Sequence, residues 1–247
     1  NVTTGELNTF LGMESGDALT DGAKNVAVGV GALSTDTTGD GSTAIGMDSL
    51  NVQNFTGGET SFNTAVGFES GKSVTTGQSN TIMGYKAGEF ITTGAANTFI
   101  GSAAGTGITG AKTTGSENVA IGQSSGENIQ GAGQKHTFVG TKAGQSCTTS
   151  EQNTAVGYEA GQSITTGAVN TAVGSYALTT DTQGKGSTAI GMFALTNQNL
   201  GDTWAYNVAV GYYANYKATT GLLNTYIGSR CGHEATDSDY NVGVGSD

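Results

Sequence analysis

Two cysteines, two histidines and twenty carboxylates are the groups in this 247-residue chain that chemistry could recruit. His136 and His233 have no Cys, His or carboxylate at ligand spacing, so zinc is not expected. DTTGDG at 36 has the composition of a calcium loop, but the Gly-Gly-x-Gly-x-Asp nonapeptide of calcium-binding rolls is absent. Paired Asp and Glu could cleave a glycosidic bond by acid–base catalysis. Here the carboxylates recur in repeated turns, where they read as solubilising groups. Recurrent Thr suggests a flat ice-binding array, yet neighbouring threonines of a Thr-Thr pair point to opposite faces of a strand. The reading is of a chain with no catalytic residue, no metal and no cofactor.

The elements that carry these groups are unusual in composition. Glycine accounts for 42 residues and proline for none. Glycine does not recur at every third position, which excludes collagen. Val, Ile and Leu recur at fixed positions, unlike a disordered chain. Nine Lys and Arg against twenty Asp and Glu give a net charge of −11, which opposes contact with nucleic acid. Apolar runs are only four or five residues long, so no membrane span or signal peptide is visible. The chain is read as one repeat domain, residues 1–247, cut from a longer fibrous protein.

One pentapeptide recurs fourteen times, from NTFLG at 8 through NTAVG at 153 and 170 to NVGVG at 241, most often seventeen residues apart. Each copy reads as a short strand closed by Gly. A second short strand is expected in SVTTG at 73, FITTG at 90 and SITTG at 163. Two strands and two turns per seventeen residues describe one coil of a parallel β-solenoid with a pitch of about 4.8 Å. Fourteen such coils span roughly 65 Å.

With the Asn of the pentapeptide as position one, position four is aliphatic in every copy and is assigned to the interior. Position eight is small and suits a tight corner. Position twelve (Leu19, Val74, Ile91, Ile108, Ile129, Ile164) supplies a second core residue where position nine is Gly. Where position nine is Leu (Leu33, Leu50, Leu178, Leu195), position twelve is Asp36, Gln53, Asp181 or Gln198, so one large apolar side chain fills each coil either way. The Asn of position one is expected to stack as an amide ladder, interrupted by Ser42, Ser187 and His136. Charged residues at position seven, such as Glu69, Lys86 and Arg230, read as a solvated stripe.

Position three is never charged, and alternation sets it opposite position four. Phe10, Ala65, Phe99, Phe138, Ala155, Ala172 and Tyr226 are therefore expected to face outward and pack against identical chains, with a homotrimer preferred. Ala172→Glu is expected to break that assembly.

Cys147 takes the place of Ile164 and Cys231 a corner position, five coils or about 24 Å apart, so they cannot form a disulfide and read as small core residues. Two matching insertions, at 51 and 196, place Phe55, Phe62, Trp204 and Tyr206 outside the repeat, as candidate receptor-contact loops or as covers on a neighbouring coil or subunit. A longer duplication maps the coils from 8 to 102 onto those from 153 to 247.

NTAVGYEAGQSITTG resembles the head repeats of trimeric autotransporter adhesins, the YadA-like repeats, and the NTAVG arrays of bacteriophage tail fibres. The resemblance covers the chain from Asn8 onward, with longer coils than the adhesin repeat. It implies a left-handed β-roll, trimerised, serving outside the cell as a structural, non-enzymatic segment of a virion tail fibre that gives reach and host-surface attachment. The alternative is the head of a bacterial surface adhesin; a glycan-cleaving tailspike or an ice-binding solenoid ranks below both. The expected partners are the chain itself and a host-surface glycan or protein.

Overall fold

Each pentapeptide forms one three-residue strand in the computed structural model, which describes residues 3–246. The chain divides into two compact units, one running to Ser124 and including Ile129–Ala132, the other comprising Ser125–Asn128 and the chain from Gly133. The first holds β1 (Thr9–Leu11), β2 (Val26–Val28), β3 (Thr43–Ile45), β4 (Thr64–Val66), β5 (Thr81–Met83), β6 (Thr98–Ile100) and β7 (Val119–Ile121). The second holds β8 (Thr137–Val139), β9 (Thr154–Val156), β10 (Thr171–Val173), β11 (Thr188–Ile190), β12 (Val208–Val210), β13 (Thr225–Ile227) and β14 (Val242–Val244). Within each unit each strand pairs in parallel with the next in chain order, and each residue meets its counterpart one repeat later, as Ala155 meets Ala172. Insertions leave this register intact: Thr43 pairs with Thr64, and Thr188 with Val208. The protein is an all-β parallel solenoid of about fourteen turns.

The second strand expected in SVTTG, FITTG and SITTG does not form among the described residues; those stretches are bends and turns. They still join coil to coil through single backbone bonds, such as Thr148 N–H to the Thr165 carbonyl and Thr165 N–H to the Thr182 carbonyl.

The faces of the strand are the reverse of those expected. Position three is the interior: Ala65, Phe99, Phe138, Ala155 and Ala172 are wholly buried within their own chain, Tyr226 is buried and Phe10 is half-buried. Their side chains therefore do not form a subunit interface. Position four points out, with Leu11 68 % and Ile190 39 % exposed. The cause is volume. Leu, Ile or Val from positions nine and twelve crosses the narrow coil and leaves room for only Ala at position three in most coils. Where position three is aromatic, the opposite side shrinks: a Cβ on Gly144 would stand 2.6 Å from the Phe138 ring, and position twelve of the same coil is the small, buried Cys147. In the coil of Phe99, Ile108 is expelled into an exposed insertion, and the smaller Thr113 takes the register position opposite Ile91. Ile108 is thus not a core residue, and Cys231 is only half-buried.

The amide ladder forms as expected. Asn170 N–H donates to Asn153 Oδ1 at 2.9 Å, while Asn170 Nδ2 donates to the Gly184 carbonyl at 2.8 Å, closing its own coil. Ser42 and Ser187 interrupt the ladder for a reason tied to position twelve. Their short side chains admit Gln53 and Gln198, whose amides donate to Ser42 Oγ at 2.8 Å and Ser187 Oγ at 2.9 Å. Gln53 also donates to buried Asp36 at 2.6 Å, and Asp36 accepts the Phe55 N–H at 3.0 Å. Position twelve in these coils is therefore interior polar wiring beside Leu. Burial pushes the Asp181 carboxyl above the usual carboxylate range, opposed by the hydrogen bonds from Gln198, Gly184 and Leu200.

Close stacking is set by the Gly of position five. Gly157 has a φ of 137°, and a Cβ there would lie 2.7 Å from the backbone of Gly174. Gly157→Ala combines left-handed strain with a backbone clash and is expected to cost about 3 kcal/mol or more, read from denaturant unfolding. Asn215, at position nine, is buried with both side-chain polar atoms unpaired, where other coils carry Gly or Leu. Asn215→Leu is expected to raise stability by about 1–2 kcal/mol in the same assay, because it removes an uncompensated buried amide at a place where Leu33 and Leu178 already adopt positive φ.

Candidate functional site

Three surfaces carry the groups available for function. The first is the outward side of the strands. In each unit position two supplies Thr or Val and position four an apolar residue, aliphatic except for Met83, as in Thr43 with Ile45 and Thr188 with Ile190. At register pairing one repeat apart these side chains form two parallel columns, half-exposed or exposed throughout. A covered strand face is expected for so apolar a parallel sheet. The columns place Thr and Val or Ile on the same outward side of the strands, a juxtaposition that alternation alone does not reveal, because it leaves open which of positions three and four faces out.

The second surface is formed by the paired insertions. Phe55 is buried, with 1 % exposure, so it is a core residue and not a receptor contact. Leu200, its counterpart in the second unit, is also buried, a position that sequence reasoning passed over. Phe62, Trp204 and Tyr206 are half exposed. Trp204 and Tyr206 stack with ring centroids 5.4 Å apart and lean on Gly186 of the preceding coil, where a Cβ would stand 3.1 Å from the indole. Phe62 lies in the same way over Gly41.

The third is the turn that follows Gly of position five, where positions seven and ten line up between coils. In the first unit it holds ions: Lys72 bridges Glu69 at 2.7 Å and Asp48 at 3.4 Å, and Lys86 bridges Glu69 at 3.0 Å and Glu89 at 3.3 Å. Hydrogen bonds from Lys72 and Lys86 hold the Glu69 carboxyl below its ordinary range. In the second unit the same turn keeps one ion pair, Lys142 with Glu159 at 3.3 Å, and from Tyr176 onward carries rings. Tyr176 and Phe193 stack 5.0 Å apart at 4°, Phe193 and Tyr213 lie 4.7 Å apart, and Tyr216 stacks on His233 at 5.4 Å. These aromatics stand at the positions that were read as charged, and their recurrence at seventeen and twenty residues was the available signal.

The buried cysteine and the ladder histidine, unrelated by sequence spacing, meet inside the second unit. Cys147 Sγ lies 3.4 Å from His136 Nε2 and 2.9 Å from Ser150 Oγ. Asn153 N–H donates to His136 Nδ1 at 3.2 Å, so Nε2 carries the proton and donates to the Ser150 carbonyl at 2.9 Å. The imidazole stacks on Phe138 at 4.8 Å. Burial drives the His136 pKa down to about 4 and pushes the Cys147 thiol up to about 12, so the pair stays neutral and the thiol is not a nucleophile. His136 substitutes for a ladder Asn, accepting one N–H and closing one carbonyl. Among the described residues, no group of three or more His, Cys, Asp or Glu could hold a metal ion.

The fold and these surfaces define a parallel β-solenoid with an apolar ribbon along its strands. No family model, no curated protein and no solved structure matches the chain.

Because His136 is held neutral in the fold and titrates near 6.5 when unfolded, the unfolded chain binds more protons between those values. The contribution is present in full above pH 6.5 and falls by about 3 kcal/mol as pH drops to 4. His136→Asn is expected to flatten the pH dependence of unfolding over that window, and equal slopes in the two proteins would refute the assignment.

Proposed function

We propose that this chain is a structural, non-enzymatic segment of a homotrimeric fibre, of the kind found in bacteriophage tail fibres, providing reach and attachment to a host surface. The observation that carries the reading is the outward aliphatic column. A solenoid coil needs one apolar side, its interior, and position three already supplies it. A second apolar column, repeated in every coil at position four, has no role in a lone chain and is what a second copy would cover. Thr at position two gives the same ribbon hydroxyls that can pair across the contact without adding charge. The resemblance of NTAVGYEAGQSITTG to tail-fibre arrays favours a fibre and three chains.

Assembly thus runs through position four. Ala172→Glu places a charge inside the coil and tests folding, whereas Ile190→Glu places it on the ribbon and tests association. Light scattering is expected to give the mass of three chains for the native protein and a smaller mass for Ile190→Glu, with circular dichroism unchanged. A native protein with the mass of one chain would overturn the proposal.

A further inference from the structure

The paired insertions share a backbone and differ in what they carry. Asp40 N–H donates to the Glu59 carbonyl at 3.2 Å, and the Asp40 carbonyl accepts the Ser61 N–H at 2.9 Å. In the second unit Lys185 N–H donates to the Thr203 carbonyl at 2.9 Å, and the Lys185 carbonyl accepts the Ala205 N–H at 2.8 Å. Thr60 thus holds the register position that Trp204 holds, each in a parallel bridge to the preceding coil. Three residues differ together: Asp40, Gly58 and Thr60 of the first unit stand where Lys185, Asp202 and Trp204 stand in the second. Threonine closes this insertion adequately in one unit, so the coil does not require the chain's single tryptophan in the other.

Alternation puts Asp202, Trp204 and Tyr206 on one side of this stretch and buries Ala205 on the other. Lys185 of the preceding coil pairs with one Asp202 oxygen, and the carboxylate, 72 % exposed, keeps the other in solvent. Gly186, next to Lys185, has no side chain, which leaves the two rings space over that coil. The result is a row of carboxylate, indole and phenol with an ammonium at one end. Each ring of the stacked pair has one face against its partner, and at 47 % and 51 % exposure the other faces of Trp204 and Tyr206 are left to solvent. The row is fixed before any ligand arrives: Thr203 N–H closes a tight turn onto the Gly201 carbonyl at 2.6 Å, and the parallel bridge holds Trp204 in register. Nor is it open for want of a neighbour. The following coil is stacked on both ends of the insertion, with Asn199 N–H on the Thr219 carbonyl at 3.0 Å and Leu223 N–H on the Ala205 carbonyl at 2.8 Å.

We propose that this row binds a neutral oligosaccharide of all-equatorial hexopyranose units, as in β-linked glucose or N-acetylglucosamine. Such a unit has a flat face of axial C–H bonds that covers an aromatic ring. Its rim of hydroxyls donates to the free Asp202 oxygen and accepts from the Lys185 ammonium. The net charge of −11 and the exposed Asp202 carboxylate oppose nucleic acid and acidic polysaccharide. All the residues belong to one chain. The site rests on the attachment part of the proposed function, to which it gives a ligand class, and does not require assembly.

Trp204 reports on its own site, because the chain has no other tryptophan. Titration of the purified chain with chitotetraose or cellotetraose is expected to move its emission to shorter wavelength, saturating at millimolar saccharide or below with at least one of the two. A tetrasaccharide alternating glucuronate and N-acetylglucosamine is expected to bind about tenfold more weakly or less. Calorimetry is expected to show binding lost in Trp204→Thr, which copies the first unit and so keeps the fold, and weakened about tenfold in Asp202→Ala. Light scattering is expected to give Trp204→Thr the native mass. No emission change with either neutral saccharide, equal or tighter binding of the acidic one, indifference to either substitution, or a lower mass for Trp204→Thr, which would make the ring pair a contact between chains, would each overturn the proposal. A monomer that binds as expected would leave this site standing while refuting the trimer, and a trimer that ignores both neutral saccharides would do the reverse.

Discussion

The approach of one coil to the next at the Gly of position five governs the rest of the structure. Gly46 N–H donates to the Val28 carbonyl at 2.8 Å, and Gly67 N–H to the Ile45 carbonyl at 2.7 Å. At this separation a Cβ on Gly46 would fall 2.4 Å from the Gly67 carbonyl oxygen. Only glycine can occupy the position, and its presence in each coil holds strand register through the insertions. The Asn ladder adds a second fixed point by using one side chain to close its own coil and to receive the next. Between these two constraints, three strand residues are enough to keep the coils aligned, because each coil inherits its geometry from its neighbour.

With the backbone pinned, the interior becomes a volume problem solved by exchange among positions three, nine and twelve. Ala27 with Leu33, Ala65 with Val74, and Phe138 with Cys147 are three solutions for one narrow space. The polar solution is coupled to the ladder: Leu at nine brings Asp or Gln at twelve, and Gln brings Ser at one. His136 belongs to the same logic, a neutral ring doing the work of an amide beside the small thiol that Phe138 requires.

The strand, its parallel stacking, the seventeen-residue coil and the amide ladder were legible in the sequence because each is a local pattern repeated many times. The direction of the strand was not, since alternation says that positions three and four oppose each other and is silent on which one faces in. Size misled: Val and Ile at position four look like core, and Ala155 looks like an interface, until Ile164 is seen to cross the coil and fill it. The same misreading hid the ribbon of Thr and aliphatic residues. Phe55 was equally opaque, because an insertion in sequence says nothing of whether its middle turns back inside. The aromatic turn was missed by attention to charge at position seven. Its contrast with the ionic turn of the first unit separates what a coil needs from what a surface adds.

Position one and position five lock each coil to the next. Amide hydrogen exchange at single-residue resolution tests it directly. Asn80, Asn97, Asn170 and Asn224 N–H, each bonded to the preceding Asn side chain, are expected to exchange as slowly as the strand amides and together with the position-five glycines. Exchange at these Asn amides as fast as at Thr56 and Gly57 of the insertion, with protection confined to the strands, would contradict it.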